Sequence, residues 1–160
     1  MAVLLRKLMR IGALPSALRA EVEAEGVLHL AEYVAVSRRF SGSIPGKRAT
    51  ASVSGYTGAL VLTSRRVLAT LSTVPKLAGR TVDQPWTAGQ PGPVRAELST
   101  TGLLLDVDIA EVDPRFQGKL SLHYKTTIPE EILAALPTPA LTYRVPPEWV
   151  FRAVGVLYRP

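Results

Sequence analysis

The chain has 160 residues, of which 47% are hydrophobic and 20% charged, the balance of an ordinary globular protein. It has no cysteine, which excludes disulfide stapling, thiol catalysis and thiolate-ligated metal. Its net charge of +6 is concentrated at one end: residues 1–80 hold 12 Lys/Arg against 4 Asp/Glu, residues 81–160 hold 7 against 9.

Residues 1–12 form a separate N-terminal segment, apolar but interrupted by Arg6, Lys7 and Arg10. No run reaches the length needed to span a bilayer, and no small-residue cleavage pattern follows, so the expected location is cytoplasmic, peripheral to a membrane at most. Residues 15–25 read as a helix. Pro15 opens it, Gly26 caps it, and Leu14, Leu18 and Val22 share one face.

From Val27 the apolar period changes from helical to alternating. Leu28, Leu30, Val34 and Val36 are expected on one face, with Glu32 as an intruder. Residues 42–48, GSIPGKR, resemble a phosphate-binding loop one residue short. Only three residues separate the glycines, Arg48 stands where Ser or Thr would hold magnesium, and Pro45 offers no amide hydrogen. The segment therefore reads as a connection between strands. Residues 58–72 read as a hairpin turning at Ser64-Arg65. Strands follow near 78–86, 93–99, 103–109 and 118–127, with the Pro/Gly-rich 87–93 excluded from any central strand. Residues 129–136 form a short helix opened by Pro129.

This order predicts a mainly β fold: a small antiparallel seven-stranded bent barrel, with an N-terminal helix and a C-terminal helix capping its end. Residues 13–136 make up that barrel. Residues 137–160 are a Pro/aromatic tail, expected to pack on the barrel or on a partner, with Trp149, Phe151 and Tyr158 as interface candidates. A homodimer is one form such an interface would take.

Several chemistries find little support. Asp106, Asp108, Glu111 and Asp113 lack the mid-loop glycine and spacing of a calcium loop. His29 and His123 each sit alone in a strand pattern, and no G-x-S-x-G elbow occurs. No catalytic residue, metal site or cofactor is assigned. Arg38, Arg39, Lys47 and Arg48 are expected at the open end of one hairpin, where they would grip an anionic lipid headgroup or a protein partner. Nucleic acid is disfavoured, since aromatic residues do not interleave with these cations.

Residues 58–72 also carry a resemblance. The pattern Gly58, Leu60, Leu62, Thr63, Arg66, Val67 is similar to a hairpin of bacterial pleckstrin-homology-like and GRAM-like domains, and the likeness extends over residues 13–136. It implies a strongly bent seven-stranded barrel plugged by a C-terminal helix, of a kind that commonly binds lipids, peptides or protein partners and is rarely catalytic. The expected function is a non-enzymatic binding module. The alternatives are an assembly protein using the aromatic tail and a barrel that carries a small molecule.

Overall fold

The computed structural model describes residues 13–74, 77–87 and 91–156. In chain order the elements are α1 (Ser16–Glu25), β1 (Val27–Ile44), β2 (Lys47–Thr63), β3 (Arg66–Val74), β4 (Leu77–Pro85), β5 (Val94–Ser99) and β6 (Gly102–Asp108). A 3-10 turn (Ile109–Glu111), β7 (Gln117–Lys125), α2 (Glu130–Ala135), β8 (Ala140–Tyr143) and α3 (Pro147–Ala153) follow. One antiparallel sheet holds all the strands, in the order β4-β3-β2-β1-β7-β6-β5-β8, and curls into a half-barrel.

The expected seven strands are eight. The additional one, β8, pairs with β5 from Val94↔Tyr143 to Glu97↔Ala140, inside a stretch whose prolines read as loop. Four residues are enough for an edge strand, where a proline removes no bond from a central ladder. Leu141 and Tyr143 alternate inward from it.

The curl originates in β1 and β2, which are long enough to serve two halves of the sheet. β3 pairs only with Thr57–Leu62 of β2, whereas β7 pairs only with Ala35–Ser43 of β1. Just before the β7-paired stretch β1 slips register, from Ala31 to Val34, and Tyr33 takes a left-handed φ of 57°. A bulge of this kind bends a strand and raises its twist. Opposite Val34 stands Gly58, where a Cβ would lie 2.1 Å from the Thr70 carbonyl oxygen and 3.0 Å from the Tyr124 ring. Together with a second slip between Val27 and His29, this slip redistributes the expected apolar row. Leu28, Val34 and Val36 pack in the main core, but Leu30 packs outside the sheet.

That outer position is covered by α1. Leu14, Leu18 and Val22 press on Ala59, Val61, Leu68 and Leu30. Glu32 is no intruder: its carboxylate accepts from the Leu14 amide at 2.8 Å and pairs with Arg19 on α1. Glu21 and Glu25, disfavoured by the dipole at the end of α1, are offset by Arg66, which lies 3.1 Å and 2.7 Å from them and 2.9 Å from Asp83. The outer face of the other half, formed by β5, β6, β7 and the hairpin end of β1 and β2, has no helix over it among the described residues.

Candidate functional site

The interior of the half-barrel is filled by α3. Pro147 occupies its first turn, where a missing amide hydrogen costs nothing. Trp149, Val150, Phe151, Ala153 and Val154 are all buried in the main core. The Trp149 indole donates to the Thr81 carbonyl on edge strand β4 at 2.9 Å, so the helix satisfies part of an unpaired sheet edge. Phe151 meets Phe116 edge-on, with centroids 5.5 Å apart. The helix that enters the barrel is therefore 147–153. The expected cap, 129–136, contributes α2, none of whose residues is fully buried. The tail aromatics Trp149 and Phe151 belong to the chain's own core, and Tyr158 and residues 1–12 lie outside the described residues.

Two of the four cations predicted to bind an anion hold this helix in place. Arg38 is 3% exposed. It donates from Nη1 to the Ala153 carbonyl at 3.0 Å and from Nη2 to Ser54 Oγ at 3.1 Å, and its guanidinium lies 5.2 Å from the Tyr56 ring centroid. Lys47 Nζ donates to the Val154 carbonyl at 2.9 Å. These carbonyls end a helix and have no intrahelical donor among the described residues, so cations are suited to them electrostatically as well as geometrically. Burial, and then the neighbouring Arg38 charge, hold the Lys47 ammonium below its ordinary pKa.

The pleat sends the partners of these residues to the other face. Arg39 and Arg48 are exposed on the bare outer face, and the side-by-side pairs 38/39 and 47/48 do not act as pairs. Arg39 stands opposite Val53 on β2 and Ser121 on β7, and Lys119 stands opposite Ser41. Together with Arg95, Asp106 and Asp108 they border a shallow groove of about 770 Å³. Among the described residues Arg39, Arg48, Lys119, Asp106 and Asp108 form no ion pair, while Arg95 pairs with Glu97. Lys119 was not singled out in the sequence. The signal was present in the alternation Lys119, Ser121, His123, Lys125, every second residue of β7, which places the lysines outward.

The remaining sequence motifs resolve into structural parts. GSIPGKR is a turn at Pro45-Gly46 between two strands that run right up to it. Gly42 faces Gly118 of β7, and a Cβ on Gly42 would lie 2.0 Å from the Gln117 carbonyl oxygen, so this glycine permits close strand approach. In the 58–67 hairpin Thr63 Oγ1 accepts the Arg65 and Arg66 amides at 3.1 and 3.0 Å and donates to Glu25 at 3.0 Å. Tyr124, over Gly58, donates to the Thr70 carbonyl at 2.9 Å and meets Thr81 Oγ1 at 2.5 Å. Burial pushes its hydroxyl far above the ordinary tyrosine range.

His29 is lowered by burial and its Nε2 has no partner, while His123 lies half-buried on the outer face. Asp113 is bound by Arg115, and no group of three or more His, Asp or Glu converges among the described residues. No family model matches the chain, and no curated protein and no solved structure matches it either.

Proposed function

We propose that this chain is a non-enzymatic binding module that recognises an anionic partner through the outer face of the β1–β2 hairpin and the adjoining β7. One observation carries the reading: the half-barrel interior is occupied by the chain's own α3, while Arg39, Arg48 and Lys119 lie exposed on one face, with no ion pair and no helix over them among the described residues. A filled interior works against the carrier alternative, which needs a chamber with converging polar groups. Burial of Trp149 and Phe151 works against assembly through the tail.

Between an acidic protein and an anionic lipid surface, the charge layout favours the protein. Asp106 and Asp108 stand on β6, directly beside Lys119 and Ser121 on β7, and would repel a uniformly anionic plane. A segment with spaced charges avoids them. The residue pattern from Gly58 to Val67 is the ground for proposing kinship with pleckstrin-homology-like domains.

Binding of polyglutamate and of phosphatidylserine vesicles, each at low and at physiological ionic strength, tests the reading. Polyglutamate should bind at low salt, weaken as exposed charges are screened, and bind less to the variant R39A/R48A/K119A. Absence of binding to both probes at low salt refutes it.

A further inference from the structure

Residues 47–56 of β2 have a strand on one side only. Each register partner in this stretch is on β1, β3 joins only at Thr57, and no other described strand pairs there. In an antiparallel ladder alternate residues turn both N–H and C=O away from a given neighbour. The stretch therefore presents backbone donors and acceptors in two runs, 47–49 and 52–56, interrupted by a bulge where Ala51 takes a left-handed φ of 48°.

Two further observations coincide with that edge. Val53, at its middle, is 66% exposed, the highest value among the exposed large hydrophobics of the described residues. Beside it Gly55 is open, with nothing within 4 Å of where a Cβ would stand. The second observation is charge. Not one Asp or Glu occurs from residue 33 to 82, so β2 and the part of β1 that faces residues 47–56 carry cations alone. Of these, Arg48 lies on the edge strand itself and Arg39 lies across from Val53, both exposed on the same face.

We propose that the free edge of β2, residues 47–56, takes up an extended acidic peptide segment of a partner protein as an added strand. Main-chain bonds along the edge supply adhesion, and alternate side chains supply choice. Acidic residues at alternate positions lie on the outer face, their aliphatic stems against Val53 and their carboxylates toward Arg48 and Arg39, while the apolar residues between them turn to the other face. A second copy of this chain fits less well, since it would set one +6 molecule's cationic hairpin against another's. The inference rests on the anionic-partner reading and narrows it to one edge and one chemistry.

A labelled peptide of alternating glutamate and valine is the probe. It should bind saturably by fluorescence anisotropy, and in wild-type protein it should slow amide hydrogen exchange at residues 48–56. R39E/R48E should weaken it by roughly tenfold or more, since two exposed charge pairs become two repulsions. The exchange measurement needs no variant and stands whether or not R39E/R48E folds. Equal binding of a glutamine–valine peptide overturns the proposal, and so does protection confined to the β5–β8 edge or the outer groove. Binding to phosphatidylserine vesicles or polyglutamate without binding of the alternating peptide overturns the edge while leaving the broader reading intact. Binding to none of these removes both.

Discussion

Replacing Trp149 with Phe isolates the contact between α3 and the open edge of the sheet. The aromatic body stays in a site where Trp149 is 5% exposed, but the indole N–H that reaches the Thr81 carbonyl at 2.9 Å is gone. Leaving that carbonyl without a donor costs about 1–3 kcal/mol, and the smaller ring adds about 1 kcal/mol of lost packing. A total of about 2–4 kcal/mol is a large share of the roughly 5–15 kcal/mol that holds a domain together. In a chain of this size it corresponds to a fall in Tm of about 5–15 °C. Urea unfolding followed by far-ultraviolet circular dichroism gives the free energy, and Arg152→Ala, exposed on the same helix, is the control with an expected change within about 0.5 kcal/mol. A W149F protein as stable as R152A would refute the claim that α3 is seated in the half-barrel.

Other substitutions probe other joints. Tyr124→Phe should cost about 1–3 kcal/mol in the same assay, because the Thr70 carbonyl and Thr81 hydroxyl lose a buried partner. Gly42→Ala should cost more than about 2 kcal/mol, since its Cβ would collide with the backbone of β7; a neutral result would mean the two strands are not in close register. For pH, hydrogen bonds from Arg115 hold the Asp113 carboxyl below its ordinary value of 3.8. The unfolded chain then binds the proton first, so this contribution is present above that value and is lost as pH falls through the folded pKa. Urea midpoints measured across the acid range should fall less steeply for Asp113→Asn than for wild type.

Much of this architecture is written in local patterns. Leu14, Leu18 and Val22 announce a covered helix face, and the turn at Ser64-Arg65 is plain from its flanking strands. What local pattern cannot carry is partnership at long range. Arg38 reads as a surface cation beside Arg39, yet its acceptor is the Ala153 carbonyl, distant in the chain. A strand pleat separates neighbours onto opposite faces, and only the knowledge of which face is filled tells which arginine is free. The strand β8 was hidden for a related reason: its pairing with β5 is non-local, and its flanking prolines suit an edge as readily as a loop. The bulge at Tyr33 and the slip between Val27 and His29 moved Leu30 to the outer core, one-residue slips that the alternation alone could not show.

The fluorescence of Trp149 in a Trp86→Phe protein tests the occupied interior most directly, since Trp149 is then the only indole in the chain. A helix lodged in the core predicts emission shifted to the blue and resistant to acrylamide, with both properties lost only at global unfolding. Solvent-like emission with ready quenching in the folded protein would place the tail outside and leave the half-barrel open.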